Sequence, residues 1–149
     1  MPIGEFCNRE VVFATRKMSI PEAAQLMRQH HVGDLVVVDE TDGKRLPVGI
    51  VTDRDIVIEI IAKSLHFNDF TVGDIMSPQL VSVAEHEGVF ETIRLMRVKG
   101  IRRIPVVDRE GGLEGIVSAD DILDLLAEEM TELAKVAPRE RDREAQIRV

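Results

Sequence analysis

The chain has 149 residues, 44% of them hydrophobic and 31% charged, so it can bury a sizeable core and keep a solvated surface. Its 27 Asp and Glu outnumber its 19 Lys and Arg, which gives a formal net charge of −8 at pH 7. This acidic balance and the lack of Trp and Tyr argue against a general nucleic-acid binder, which needs cationic side chains and aromatic stacking.

Cysteine usage and the N-terminal segment predict a soluble cytoplasmic protein. Cys7 is the single cysteine, so no intramolecular disulfide forms and a reducing compartment is expected. The first ten residues lack a basic stretch followed by an apolar one, so we expect no signal peptide. No apolar run approaches the roughly 20 residues that a bilayer-spanning helix needs.

The sequence contains an internal duplication. Residues 3–39 align with residues 72–108 without a gap, and residues 49–51 then align with residues 115–117 after a shorter loop. We predict one repeat over residues 1–65 and a second over residues 66–129. Residues 130–149 are predicted to form the end of a helix and a charged tail.

Each copy shows the element order β-α-β-β-α. An extended segment (residues 11–14 and 80–83) precedes a helix, which Ser19 can cap in the first copy. Two Val/Ile-rich strands and a second helix follow, and such continuous apolar strands are typical of sheets buried on both faces. The last helix is predicted to stop at Pro138 and to leave a frayed tail. The alternative is an extra helix and a strand-like end that dock on a partner subunit.

Two near-identical stretches, GIVTDRDI and GIVSADDI, each place an aspartate three positions after a hydroxyl residue. The pairs are Thr52 with Asp55 and Ser118 with Asp121. This spacing is typical of a capping box at a helix N-terminus, which is the favoured interpretation from spacing alone. A carboxylate at such a junction could also accept both hydroxyls of a ribose beside a phosphate-attracting helix end. The two roles are compatible, because a cap uses only some of the oxygen lone pairs.

Two adjacent arginines, Arg102 and Arg103, stand at the entrance of a buried strand of the second copy. Paired guanidinium groups can grip phosphate oxygens, although a solvated turn is an equal alternative. Their counterparts in the first copy are Gly33 and Asp34, so the copies diverge where they could touch a ligand.

No catalytic or metal site is predicted. His30 and His31 are adjacent and point to different faces of a helix, and the other two histidines lack partners at ligand spacing. Cys7 aligns with Met76, which suggests a small apolar packing residue rather than a nucleophile. A nucleotide hydrolase therefore has no supporting residues in this sequence.

The ordered motifs VGDIMS, GIRRIPVVD and GIVSADDIL, with their twins in the first half, resemble a tandem pair of CBS domains. The resemblance covers nearly everything from Ile3 to about Glu129. It implies an α+β fold in which two β-α-β-β-α repeats pack about a pseudo-twofold axis. It also implies a regulator rather than an enzyme, one that binds AMP, ADP, ATP or S-adenosylmethionine in two clefts between the copies and associates as a homodimer.

The resemblance also assigns the site residues. Thr52 and Asp55 would bind the ribose of the ligand in one cleft, and Ser118 and Asp121 would bind it in the other. An isoleucine would line the base pocket of each cleft. The predicted ligand-binding residues of the first cleft are Ile50, Thr52 and Asp55, with Asp74, Ile75, Met76, Ser77, Pro78, Ile101 and Arg102 from the other copy. Those of the second cleft are Ile116, Ser118 and Asp121, with residues 4–9 including Cys7, Val32 and Gly33 from the other copy.

The sequence departs from the family pattern near the phosphate positions. Pro105 of the second copy is matched by Val36 in the first, and Asp34 would repel a phosphate where Arg103 would attract one. Arg54 could partly offset Asp34. We therefore expect the two clefts to differ, with the Ser118/Asp121 cleft the better phosphate binder.

Two functions from different classes remain open at this point. One is a regulatory module that senses an adenosyl ligand and signals to an unidentified partner protein. The other is a purely structural dimerisation module, in which both hydroxyl–aspartate pairs are only helix caps.

Overall fold

The structure, a computed structural model, describes residues 1–78 and 80–148. Each repeat forms its own three-stranded sheet, in which the first strand runs parallel to the second and the second antiparallel to the third. The strands are β1 (Phe13–Ala14), β2 (Asp34–Thr41) and β3 (Lys44–Thr52), then β4 (Val83–Ala84), β5 (Arg103–Val107) and β6 (Leu113–Ser118).

Helices cover the sheets in the order predicted from the sequence. The helix between the first two strands is α2 (Ile20–His30) in the first repeat and α5 (Val89–Lys99) in the second. Ser19 caps α2, because its side chain accepts a hydrogen bond from the Glu22 N–H at 3.2 Å. The remaining helical elements are α1 (Ile3–Phe6), α3 (Asp53–Ile56) with a π-helical continuation (Val57–Ile61), a 3-10 turn (Phe67–Asp69), α4 (Val72–Ile75), α6 (Ala119–Ala134) and α7 (Val136–Ile147).

The extended segments and turns differ from the sequence prediction in detail. The strand predicted over residues 80–83 is β4, which is shorter and begins at Val83. The sequence suggests a loop over residues 40–47 between the second and third strands, but the structure has only a two-residue turn there. Its residues Asp42 and Gly43 both have positive φ, as hairpin turns matching the strand twist require. The short helices α1 and α4, which precede the extended segments, were not predicted.

The prediction that the C-terminal tail is frayed is wrong. Helix α6 ends at Ala134, before Pro138, and α7 follows from Val136. Pro138 lies in the first turn of α7, where a proline N–H is not needed for the helical hydrogen-bond pattern. The tail is therefore a second helix, and Val149 lies outside the described residues.

Each core includes a segment from the start of the opposite repeat. The core of the first repeat contains Val72 and Ile75 of α4. The core of the second contains the fully buried Ile3 of α1, with Phe6 and Cys7 packed against it. Each core is therefore built from residues of both repeats. The domain boundaries at residues 65 and 129 stay a prediction.

Candidate functional site

An isolated antiparallel β-bridge, here called a backbone crossing, joins Asn8 of the N-terminal segment to Ile116 of strand β6. The Asn8 N–H donates to the Ile116 carbonyl and the Ile116 N–H donates to the Asn8 carbonyl, both at 2.9 Å. Gly115 makes this approach possible, because a Cβ atom there would lie 2.5 Å from Cys7 Sγ and 2.7 Å from the Asn8 carbonyl oxygen. The crossing fixes a segment near the start of the first repeat against the last strand of the second.

The equivalent crossing joins strand β3 to a segment near the start of the second repeat. The Ser77 N–H donates to the Ile50 carbonyl at 2.9 Å, and the Ile50 N–H donates back to the Ser77 carbonyl at 3.3 Å. A Cβ atom at Gly49 would lie 2.7 Å from that Ser77 oxygen and 2.8 Å from Met76 Sδ. Each half of the molecule therefore supplies one wall beside the third strand of the other.

Both hydroxyl–aspartate pairs form capping boxes. The Asp55 N–H donates to Thr52 Oγ1 at 3.0 Å, and the Thr52 N–H donates to Asp55 Oδ2 at 2.9 Å. The Asp121 N–H donates to Ser118 Oγ at 3.0 Å, and the Ser118 N–H donates to Asp121 Oδ2 at 3.3 Å. These helix caps confirm the structural half of the interpretation made from the sequence.

A cavity of about 250 Å³, here called the Ser118 cleft, lies beside the crossing at Asn8. Its walls come from both repeats, with Ser118 and Asp121 at the start of α6 facing the segment around Gly33. The lining residues are Asn8, Glu10, Val11, Val12, His31, Val32, Gly33, Asp34, Val36, Arg103, Ile116, Ser118 and Asp121. The structure thus brings together Ile116, Ser118, Asp121, Val32 and Gly33 of the predicted set.

Several residues of the Ser118 cleft were missed from the sequence. Val11 and Val12 line it, and their repeat equivalents Leu80 and Val81 line the opposite cleft. The alignment of the two copies could have predicted these residues, because Val11 and Val12 align with Leu80 and Val81. Each pair follows the residue that forms the backbone crossing.

The opposite cavity, here called the Ile50 cleft, has a volume of about 200 Å³ and a mostly apolar wall. The described residues that line it are Ile50, Ser77, Leu80, Val81, Ile101 and Arg103. Thr52 and Asp55 are not among them.

The other residues predicted for the first cleft lie elsewhere. Asp74 accepts a hydrogen bond from the Thr71 N–H at 2.8 Å in the capping box of α4. Met76 packs against the core of the first repeat. Pro78 is described but does not line the Ile50 cleft.

An ion pair between the repeats links the two clefts. Arg103 Nε lies 3.0 Å from Asp34 Oδ2, and the Asp34 side chain is only 16% exposed. Burial raises the pKa of Asp34, an effect that Arg103 opposes and the nearby Asp53 reinforces. From the sequence, Asp34 and Arg103 are expected to make the two clefts differ in phosphate binding, with the Ser118 cleft binding phosphate better. The structure removes the basis of that expectation, because it places both residues in the Ser118 cleft and pairs them.

The neighbouring arginines point to other partners. Arg102, predicted to grip phosphate, is exposed and donates from Nη2 to Asp120 Oδ1 at 2.8 Å. Arg9 pairs with Glu114 at 2.6 Å and donates to the Gly4 carbonyl at 3.0 Å. Neither arginine lines the Ser118 cleft or the Ile50 cleft.

Cys7 contributes to the wall behind the crossing rather than to either cleft surface. It is half-buried, packs against the core of the second repeat, and its Sγ donates to the Gly4 carbonyl at 3.5 Å. Burial raises the pKa of the Cys7 thiol, which disfavours the reactive thiolate. In residues 1–78 and 80–148, no three His, Cys, Asp or Glu side chains cluster so that they could hold a metal ion.

The crossings, the caps and the two clefts repeat in both halves of a duplicated β-α-β-β-α fold. The CBS domain family model matches residues 3–62 and 72–128. The chain belongs to the CBS domain family. No helix within the described residues of this CBS pair is long and apolar enough to cross a membrane.

Two relatives carry similar sequence over most of this CBS pair. An uncharacterized protein of Methanopyrus kandleri is 40% identical over 121 residues, which cover 81% of this chain and 60% of that protein. The mitochondrial CBS domain-containing protein CBSX3 of Arabidopsis thaliana is 32% identical over 131 residues, covering 87% of this chain and 63% of that protein. The chain thus spans less than two thirds of the length of these relatives.

Solved structures share the fold of the CBS pair. Hypoxic Response Protein I, solved with two coordinated zinc ions, superposes with a TM-score of 0.72 at 30% identity, covering 83% of this chain and 98% of that one. The CBS domain pair of protein MJ0100, solved with 5′-methylthioadenosine and S-adenosyl-L-methionine, has a TM-score of 0.70 at 30% identity, covering 87% and 98%.

Proposed function

We propose that this CBS pair is a regulatory module that binds an adenosyl ligand in the Ser118 cleft and signals its occupancy to a partner protein. The observation that carries the proposal is the Ser118 cleft itself, a cavity walled by both repeats at the start of a capped helix. Its volume of about 250 Å³ is close to the lower end of ligand pockets, about 300–1,000 Å³. A ligand that touches both repeats can shift how they sit together.

The chemistry of the wall suits a nucleoside. Ile116, Val12 and Val36 offer an apolar surface on which a purine ring can lie. The capping box engages Asp121 through Oδ2, and a carboxylate has further acceptor capacity for the hydroxyls of a ribose. The complex of the MJ0100 CBS pair with two adenosyl compounds supports this ligand class.

We also propose that the module acts in the cytoplasm as a homodimer, without catalysing a reaction. Helix α6 supports the dimer, because Leu123, Met130 and Leu133 are 62%, 71% and 72% exposed and share one helical face. Exposed apolar side chains that line up in this way are typical of a surface that a second protein covers.

Two serines at helix N-caps provide a matched test. Ser118→Ala removes a cap hydroxyl in the cleft, and Ser19→Ala removes a cap hydroxyl of α2 that does not line either cleft. Each substitution should lower the free energy of unfolding by about 1 kcal/mol. In calorimetric titrations with S-adenosylmethionine, 5′-methylthioadenosine, AMP and ATP, only Ser118→Ala should weaken binding, by about tenfold, because a hydrogen bond to the ligand is lost.

The same titrations decide between regulation and a structural role. If none of the four compounds binds the wild-type chain at millimolar concentration, the regulatory proposal fails and the structural dimerisation module takes its place. If both serine variants bind equally well, the Ser118 cleft is not the binding site.

A further inference from the structure

The two clefts share a single strong cation. Among the described residues that line the Ser118 and Ile50 clefts, Arg103 is the one lysine or arginine, and it lines both. Arg102 and Arg9 are held by Asp120 and Glu114. Among the lysines and arginines of the described residues, Arg103 is therefore the one placed to contact a phosphate in either cleft.

That guanidinium already has a partner that is poorly solvated. Asp34 binds Arg103 Nε at 3.0 Å and keeps only 16% of its side chain exposed. The Asp53 carboxylate lies close by, since a Cβ atom on Gly33, the residue before Asp34, would be 3.1 Å from Asp53 Oδ2. Removing Arg103 would thus leave a half-buried carboxylate beside another one, which is costly.

The rest of the Ser118 cleft adds negative charge. Glu10 and Asp121 line it together with Asp34, so three carboxylates face one guanidinium, with His31 as the other titratable side chain. Charges of one sign in a concave site attract ligands of the opposite sign and repel those of the same sign.

We infer that Asp34 makes the Ser118 cleft selective for adenosyl ligands whose 5′ group is cationic or uncharged, such as a sulfonium or thioether, against nucleotides that carry phosphates. The inference rests on the proposed function and specifies the ligand class of the same cleft. A sulfonium leaves the Asp34–Arg103 pair intact and is attracted by the carboxylates. A triphosphate must take Arg103 away from Asp34 and is repelled by all three.

The test compares ligands that share adenosine and differ in the charge of the 5′ group. S-adenosylmethionine, the uncharged thioether 5′-methylthioadenosine, AMP and ATP are titrated into the wild-type chain by calorimetry. Divalent cations are omitted, because they would neutralise the phosphates. We expect S-adenosylmethionine to bind at least tenfold more tightly than ATP, with 5′-methylthioadenosine in between.

The variant Asp34→Asn keeps the size of the side chain and frees Arg103 from its charged partner. It should bind ATP about tenfold more tightly than the wild-type chain does and S-adenosylmethionine more weakly. The matched control is Asp39→Asn, which removes the same charge at an exposed residue that pairs with Arg16 outside both clefts. This control should leave the preference between the two ligands unchanged.

The outcomes separate the inference from the proposed function. If ATP binds the wild-type chain as tightly as S-adenosylmethionine, the inference is overturned while adenosyl binding stands, and this comparison needs no variant to fold. An Asp34→Asn chain that folds and keeps the wild-type preference would also overturn it. If no adenosyl compound binds at all, the inference and the proposed function fall together.

Discussion

Gly49 and Gly115 occupy equivalent positions in the two repeats, and each has the backbone of another segment where a side chain would otherwise be. Both have backbone angles outside the left-handed region, since neither is among the residues with positive φ. Their role is therefore to provide space for the crossings at Ser77 and Asn8, not to relieve backbone strain.

Replacing Gly115 with Ala should lower the free energy of unfolding by about 1–3 kcal/mol, because the added methyl group meets the Asn8 carbonyl and Cys7 Sγ. Urea denaturation measures the change. The matched control is Gly88→Ala, where the new Cβ atom meets only the movable carboxylate of Glu91. Equal losses for the two variants would show that the crossing at Gly115 adds nothing to stability.

Asp34 predicts a specific dependence of stability on pH. Burial raises the pKa of Asp34. The folded chain therefore holds the proton of this carboxyl group more tightly than the unfolded chain, in which the pKa of aspartate is about 4. The contribution of Asp34 to stability is fully present below the unfolded pKa and is lost as pH rises through the folded pKa. The unfolding free energy of Asp34→Asn minus that of wild type should therefore increase from about pH 4 upward and then level off.

Denaturation of both chains in urea at a series of pH values from about 3.5 to 7 tests this sign. The variant Asp39→Asn corrects for the general effect of removing one carboxylate. A difference between Asp34→Asn and wild type that shrinks as pH rises would contradict the raised pKa.

At the scale of elements, helices α3 and α6 are stabilised by N-terminal caps, whereas α7 is not. Helices α3 and α6 begin with capping boxes and follow directly from strands β3 and β6. Helix α7 has no side-chain cap at its N-terminus and no buried residue. A 12-residue helix without such support is marginal in water.

Removing residues 136–149 should therefore change the melting temperature by less than about 2 °C, because almost no apolar surface is uncovered. The far-ultraviolet circular dichroism signal of helix should fall at the same time. A loss of more than about 5 °C would mean that α7 is covered by another surface, such as a second copy of the chain.

The sequence predicted those features that depend on neighbouring residues. The caps at Thr52 and Ser118 were predicted because each partner lies only three positions away. The Asp34–Arg103 pair was not predicted, since its members are distant in sequence and their opposite charges suggested only that the clefts differ. Helix α1 was missed because a single turn has too few residues to show helical periodicity.

At the scale of the whole molecule, the exposed side chains of Leu123, Met130 and Leu133 give α6 an apolar face that a second chain could cover. If a second copy covers it, Met130 lies near the centre of the contact, between Leu123 and Leu133. A carboxylate placed there would be removed from water without a compensating cation.

Light scattering coupled to size-exclusion chromatography should accordingly give a dimer for wild type and a monomer for Met130→Glu. Thr131→Glu adds the same charge one position along, away from the face of Met130, and should stay dimeric. A wild-type chain that is monomeric at about 50 µM, a concentration at which a specific dimer with micromolar affinity would form, would rule out the proposed dimer.

The exchange of segments between the two cores also bears on synthesis at the ribosome. Ile3 emerges well before Val117 and Ile122, which complete the core that buries it. The first repeat can close once α4 has emerged, whereas the segment at Ile3 stays without its partners until β6 and α6 have been made. Docking of the Ile3 segment therefore waits for the end of the second repeat, and closing so long a loop should make that step slow.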